Sequence, residues 1–322
     1  MYAGVDLGAT NVRAVVADTD GTVLGRDRRR TPTGPTGIAV TEAVLDALRT
    51  ACDEAGASPD EVWAAGIASF GPFDLAAGAI ENPANLPDHI ETIPLTGPAE
   101  NLFDTDRVYL HNDTSAGVIG ERFHSDRNPD DMAYLTISSG IGAGVCVDGS
   151  VLGGWDGNAG EVGHMTVDPD GVMRCGCGKD GHWEAYCSGN NIPRYAEYLY
   201  EEGTVETSVP VGTADFDAAD VFAHAGDDAF ADHVIDQLAH WNAMGVANLV
   251  HAYAPLVVNV GGAVALENPE RVLDPIRERL PEMVMSNVPE LRLTTLGDSV
   301  VVRGALASAM TAGTGDRSRV KR

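Results

Sequence analysis

Three groups of residues in this 322-residue chain have the types and spacing that chemistry requires. The first is Asp6-Leu7-Gly8-Ala9-Thr10-Asn11, a turn between two apolar runs. Such a turn aims backbone N–H groups at one spot, Gly8 lets an anion approach closely, and Thr10 adds a hydroxyl; together they suit a phosphate. Asp6, at the end of a strand, is placed to hold a hydrated Mg2+. The pattern returns at Ser138-Ser139-Gly140-Ile141-Gly142-Ala143-Gly144, and two such loops would hold a polyphosphate from two sides. Gly261-Gly262, after the apolar run 256–260, would let a nucleoside lie against backbone. The second group is Asn112-Asp113, which follows a short strand and opens a helix. Both residue types cap helices. A carboxylate there could also take the proton from a hydroxyl attacking a γ-phosphoryl group. The third group combines Glu161 and His164, whose carboxylate and imidazole can hydrogen-bond vicinal hydroxyls, with the close cysteine pair Cys175 and Cys177. Each group also has a plainer reading: a ligand-free hairpin, an N-cap, a solvated loop. Taken together, the residues describe a metal-stapled, nucleotide-using α/β enzyme with an acid-lined cleft.

The elements that must position these residues follow from periodicity. Residues 3–24 and 133–152 are alike: apolar strand, Gly/Ser/Thr loop, second strand, Asp-Gly turn, third short strand. The turns Asp20-Gly21 and Asp148-Gly149 are strong hairpin signals, and the repetition points to two related halves. Helical spacing marks 37–55, 114–124, 190–201, 217–225, 228–251 and 269–280. Strands are expected at 62–68, 107–111 and 256–260, with a last strand near 299–302 leading into an Ala-rich helix, 304–312. Residues 71–90 read as loop-rich, and 153–190 as Gly-rich and irregular. Alternating strands and helices give an α/β fold.

Composition narrows the function. Hydrophobic residues make up 44% of the chain, enough for sizeable cores. No apolar run is long enough to span a membrane, and the N-terminus reads as a first strand instead of a leader, so a cytoplasmic protein is expected. The net charge is −27, and the only lysines are Lys179 and Lys321. That surface repels nucleic acid and anionic membranes. Lysine depletion with aspartate excess points to adaptation to high salt, as in halophilic archaea. Five cysteines argue against a disulfide framework.

With these motifs in hand, the chain resembles the sugar kinases of the ROK family (repressors, open reading frames, kinases), part of the actin-like ATPase superfamily, from Asp6 to about Gly262. The Asp6–Asn11 loop resembles the first phosphate motif, with Ala9 where a second glycine is commoner, and residues 140–147 resemble the second. The resemblance implies two actin-like (ribonuclease H-like) ATPase domains with an interdomain cleft. Residues 1–112, joined by a C-terminal helix at about 303–322, would form the small domain. Residues 113–302 would form the large one, with a zinc-binding insertion at about 153–190.

The same resemblance implies the roles of individual residues. Asp113 becomes the catalytic base. Asn112, Glu161, His164 and Glu184 become sugar ligands, with Gly71 and Asn85 added from the loop-rich stretch. Asp6, Gly8, Thr10, Asn11, Ser139, Gly140, Gly142 and Gly262 become the site for ATP and Mg2+. The family pattern C-x-C-G-x-x-G-C-x-E supplies three cysteine ligands to a structural zinc, beside the histidine matching His164. Here His182 stands at the last cysteine, giving His164, Cys175, Cys177 and His182, with Cys187 as a competing ligand. The expected activity is ATP-dependent phosphorylation of a hexose at its 6-hydroxyl, glucose first, with fructose, mannose or an N-acetylhexosamine as alternatives. A sugar-sensing regulator would carry a DNA-binding domain ahead of the first strand and would not suit this charge. An actin-like structural ATPase would lack the Cys/His motif. A homo-oligomer, dimer or tetramer, is implied.

Overall fold

The computed structural model describes residues 1–83, 85–203, 205–285 and 287–320. The chain forms two compact units. Unit 1 is Met1–Met132, Gly144–Gly160 and Leu296–Arg322; unit 2 is Ala133–Ala143 and Glu161–Thr295.

In chain order the elements are β1 (Tyr2–Leu7), β2 (Asn11–Ala17), β3 (Val23–Arg30), α1 (Gly37–Ala55), β4 (Ala64–Ser69), β5 (Phe73–Asp74), β6 (Ala79–Glu81), β7 (Thr92–Pro94), α2 (Thr96–Phe103), β8 (Val108–Asn112) and α3 (Asp113–His124). There follow β9 (Met132–Ile137), β10 (Ile141–Val147), β11 (Ser150–Val151), α4 (Glu184–Cys187), α5 (Ile192–Glu202), α6 (Ala218–Ala223), α7 (Ala229–Tyr253), β12 (Val257–Gly261), α8 (Ala263–Glu267), α9 (Pro269–Met283), β13 (Glu290–Leu293) and α10 (Val300–Thr311).

Unit 1 is built on the sheet β3-β2-β1-β4-β8. Strands β1 and β4 are buried on both faces, as expected of strands covered by helices on each side. On one face α1 buries Val40, Val44, Leu48, Ala51 and Cys52, a stripe at helical spacing. On the other, α10 comes so close that a side chain at Gly4 would strike the backbone of Leu306, and one at Gly66 that of Ala305. α10 also crosses α3 closely, where Gly120 meets the backbone of Gly304. Buried Arg122, near the end of α3, donates to the carbonyls of Pro129, Gly149 and Thr314 and to Asp130 Oδ1.

The second sheet runs β11-β10-β9-β12-β13. Its order repeats that of the first, third-second-first-fourth-fifth, so the resemblance of residues 3–24 to 133–152 is a resemblance of topology. Asp148 and Gly149 are both left-handed (φ 49° and 71°), the conformation a tight Asp-Gly hairpin needs.

The structure departs from expectation in four places. The run 299–302 is not a strand: a 3-10 turn at Gly297–Ser299 leads directly into α10, and the pairing strand is β13. Val300, Val301 and Val302 carry a strand signal, but α10 is apolar nearly all round because it lies between a sheet and α3. That helix ends at left-handed Ala312 (φ 55°), well short of 322; residues 321 and 322 lie outside the described residues. Within the loop-rich stretch 71–90 lie two short strands that were not expected, β5 and β6, which form a small antiparallel sheet with β7. Finally, α3 belongs to unit 1, so the break does not fall at 112/113; the tight α3–α10 crossing holds it there. Among the described residues no helix is long and apolar enough to cross a membrane.

Candidate functional site

The parallel register of unit 1 sets Leu7 beside Ser69 and Ser69 beside Asn112. The C-terminal ends of β1, β4 and β8 therefore line up, at the edge where open sheets bind ligands. The Gly8 loop, Gly71 and Asn112-Asp113 all leave the sheet at that edge. Within the loop, Gly8 N–H donates to Asn11 O (2.9 Å), Thr31 N–H to Thr10 O (3.0 Å), and the Thr31 hydroxyl to Gly8 O (2.6 Å). Three carbonyls are thus satisfied within the protein, which favours donors over acceptors for a ligand, as an anion needs. A Cβ at Gly8 would have only Asn11 O near it, at 3.4 Å, so the approach to Gly8 is open.

Asp6 lies 3.9 Å from the Arg13 guanidinium. Burial pushes its carboxyl up to about 6; Arg13 opposes the rise and the charge of Asp113 adds to it. Two neighbouring carboxylates make a place that favours a cation. Asp113 Oδ1 accepts from Thr114 N–H (2.7 Å), and Asn112 Oδ1 accepts from the same N–H (2.9 Å) and from the Thr114 hydroxyl (2.8 Å). Asn112 is therefore a true N-cap, and its NH2 group is the part a ligand would use. A side chain at Gly71 would meet Asn158 Oδ1 at 3.1 Å. Asn85 lies in the exposed turn between β6 and β7, and the register that aligns the other residues does not place it.

In unit 2 the second loop is short. Ser138, Ser139 and Gly140 join β9 to β10, while Gly142 falls inside β10. Ser138 N–H donates to Gly140 O (2.9 Å), and Gly189 N–H to Ser138 O (2.6 Å). Gly262 is left-handed (φ 87°) and lies against the backbone of Ile137, where no side chain would fit. Its carbonyl accepts from Leu266 N–H, so it begins α8. Beside these residues is a cavity of about 390 Å3, lined by Ser138, Ser139, Gly189, Asn190, Phe222 and Val264 among others, a volume suited to a small ligand. Asn190, Phe222, Glu267 and Asn268 were not expected to contribute. The signals were faint: Asp217, also at the wall, caps α6 through Ala219 and Asp220, and nothing in sequence ties that cap to loop 138–140.

The Cys/His cluster lies in the same unit. The ligand atoms of His164, Cys175, Cys177 and His182 are all within 4.8 Å of one another. His164 Nδ1 is 3.6 Å from Cys175 Sγ, and His182 Nδ1 is 3.3 Å from Cys177 Sγ. Metal–sulfur bonds of about 2.3 Å and metal–nitrogen bonds of about 2.0 Å would give a tetrahedron with edges near these distances, so the donor set fits a zinc-type ion. Burial pushes the Cys175 thiol up to about 11, and a bound cation would reverse that. Burial, and then the neighbouring His164, hold the His182 imidazole below its ordinary value. Cys187 is elsewhere: it is buried and its thiol donates to Leu238 O (3.5 Å).

Two carboxylates attach to this cluster. His164 Nε2 lies 3.8 Å from Glu161 Oε2. With Nδ1 toward the metal position, the Nε2–H of His164 is left for Glu161 or a hydroxyl. Glu184 Oε2 accepts from Ile141 N–H (2.9 Å), and its Oε1 lies 3.7 Å from Cys175 Sγ. It therefore touches both the start of β10 and the cluster. The base of the region is firm: Trp183 is fully buried, bonded to Asn242 Oδ1 (2.9 Å), and packed on Gly245.

A family model described as "ROK family" matches residues 2–312. The chain is 35% identical over 316 residues to a glucokinase of Pyrobaculum calidifontis, covering 96% of this chain and 94% of that one. Among solved structures, a ROK hexokinase from Thermus thermophilus is 33% identical, with a TM-score of 0.80 and coverage of 96% and 97%. A ROK family glucokinase from Streptomyces griseus, in complex with glucose and AMPPNP, is 30% identical, with a TM-score of 0.72 and coverage of 96% and 98%.

Proposed function

The chain belongs to the ROK family, and from that premise we propose that it is a glucokinase, transferring the γ-phosphoryl group of ATP to the 6-hydroxyl of glucose. The observation that carries this reading is whole-length similarity to a glucokinase and to a glucokinase structure holding glucose and a nucleotide. The fold is that of ROK kinases, with two actin-like ATPase-type domains.

The residue roles follow the geometry within each unit. Asp113 opens α3 at the C-terminal edge of the first sheet, and we assign it as the base. It accepts the 6-hydroxyl proton while that oxygen bonds to the γ-phosphorus; the bond from phosphorus to the bridging oxygen breaks, and ADP leaves. Asp6 would hold Mg2+, which neutralises phosphate charge when bound. Gly8, Thr10 and Asn11 are assigned to phosphate, as are Ser139 and Gly140. The cavity beside Gly262 is assigned to the nucleoside. Asn112, Glu161, His164 and Glu184 are assigned to the sugar hydroxyls, as is Gly71; Asn85 has the least support.

We assign His164, Cys175, Cys177 and His182 to a structural zinc. Four protein ligands leave no open position, so its part is to orient His164 and hold the loop that carries Glu184. The acidic, lysine-poor composition supports adaptation to concentrated salt, and family resemblance supports a dimer or tetramer. Replacing the base tests the mechanism. Asp113→Asn should keep glucose affinity and fold but lose about 10²- to 10⁴-fold in kcat. Near wild-type kcat would remove Asp113 from the role.

A further inference from the structure

Asp168 is a buried carboxylate in the segment that carries Cys175 and Cys177. Its hydrogen-bond partners are neutral donors. Oδ1 accepts from Asp170 N–H (3.0 Å), and Oδ2 accepts from Val172 N–H (2.9 Å) and from the Tyr186 hydroxyl. Burying a carboxylate without a countercharge is costly. Here three donors offset that cost and wrap residues 168–172 around the carboxylate.

Tyr186 brings a second element to the same point. Its ring is buried against Tyr195 (centroids 5.0 Å apart, edge-on) and Trp241 (4.8 Å). Its hydroxyl donates to Asp168 and accepts from Met173 N–H (3.0 Å). The Met173 carbonyl accepts from Gly181 N–H (2.9 Å), and Gly181 O accepts from the N–H groups of Val167 and Asp168 (2.9 and 3.1 Å). Met173 lies shortly before Cys175, Gly181 directly before His182, and Tyr186 shortly after Glu184. One phenol thus ties both arms of the Cys/His segment to the helix that bears Glu184. That helix, α4, is a single turn of four residues, too short to hold its own geometry. Side-chain contacts must therefore set the direction of Glu184, whose carboxylate reaches Ile141 N–H and Cys175 Sγ.

We propose that Asp168 and Tyr186 are positioning residues for sugar binding, a clamp that holds Glu184 and Cys175 at a fixed spacing, beside the metal and not through it. The proposal deepens the kinase reading and rests on Glu184 as a sugar ligand. Asp168 is not one of the four clustered ligands; it acts through Tyr186 and Met173. A second buried carboxylate gives the contrast. Asp228 also accepts from neutral donors, namely Thr207, Ser208 and the N–H groups of Phe230 and Ala231. It caps α7, and none of those partners adjoins Glu184 or the cluster.

The test compares wild type with Tyr186→Phe, which removes one oxygen, with Asp168→Asn, which keeps the shape, and with Asp228→Asn as a control of the same chemistry. The readouts are KM for glucose and for ATP, kcat, melting temperature, and the rate at which a chelator strips zinc from the zinc-loaded protein. Tyr186→Phe and Asp168→Asn should raise the glucose KM about 10-fold, with kcat and the ATP KM within about 2-fold of wild type. Both should start with a full zinc load and release it several-fold faster. Asp228→Asn should melt lower yet keep the wild-type glucose KM and zinc release. If one of the two clamp variants does not fold, the other decides alone. Clamp variants that melt lower with glucose KM and zinc release unchanged would overturn the proposal. So would an Asp228→Asn protein that shifts both readouts as far as they do. A wild type that turns over no sugar would overturn the kinase reading instead; zinc release accelerated only at positions 168 and 186 would then still support the clamp, and equal release would overturn it.

Discussion

At the scale of the residue, Asp6 carries the clearest electrostatic signature. Its carboxyl is pushed up to about 6 by burial, against Arg13 and with Asp113. A folded-state pKa above the unfolded value of 3.8 means that the native state holds the proton more tightly. The associated stability is complete below about 3.8 and is lost as pH rises through about 6. Above pH 6 the ligand-free protein therefore bears a strained carboxylate, with a cost of up to about 3 kcal/mol. Asp6→Asn should be more stable than wild type at pH 8, and the advantage should shrink as pH falls from 6 toward 4. Chemical denaturation of both proteins at several pH values reads this directly; a difference that does not change with pH would show that Asp6 is not strained. His111, held neutral down to about 4 by burial, has the opposite dependence: its stability is present above 6.5 and falls as pH drops toward 4. Subtracting wild type from variant cancels it. The same substitution should abolish turnover, so the carboxylate that weakens the empty protein is kept for its ligand.

At the scale of the element, the segment from Val162 to Cys187 carries the Cys/His cluster, with His164 and Glu184 as proposed sugar ligands, and reaches the start of β10 through Glu184. His182→Ala should lose the metal and lower the melting temperature, whereas Cys187→Ala should keep about one zinc per chain. Metal analysis of the two purified variants decides this, and the reverse result would move the fourth ligand to Cys187. The clustering of His164, Cys175, Cys177 and His182 was legible through the family pattern that these residues resemble, and the Cys175/Cys177 pair also through its close spacing. The β1–β2 loop and the strand-to-helix junction at Asn112-Asp113 were legible because a strand ending in glycine or a capping residue is a local event. The cavity beside Ser138 and Ser139 was not: Asn190, Phe222 and Asn268 come from three segments that only tertiary packing brings together. The strand expected at 299–302 failed for a related reason. Three valines in a row fit a buried helix as well as a strand, and the neighbours that decide are α3 and the first sheet. The small sheet β5-β6-β7 was hidden because its strands are two and three residues long, too short for alternation to register.

At the scale of the whole molecule, the sheet order repeated in both halves accounts for the repeated glycine loop, and the charge of −27 makes the surface sensitive to salt. Self-repulsion of such a surface is long-ranged at low ionic strength; the Debye length falls from about 10 Å at 0.1 M salt to about 3 Å at 1 M. The melting temperature should rise between about 0.1 M and 2 M KCl, as read by a thermal scan at fixed pH; an unchanged value would refute salt adaptation. Activity should be measured in that same salt. The most direct test of the central claim is sugar-dependent ADP formation from Mg2+-ATP, followed across glucose, fructose, mannose and N-acetylhexosamines in concentrated KCl. The account predicts turnover with glucose at the highest kcat/KM and glucose 6-phosphate as product. Turnover confined to another sugar, or none with any sugar in folded, metal-loaded protein, would contradict it.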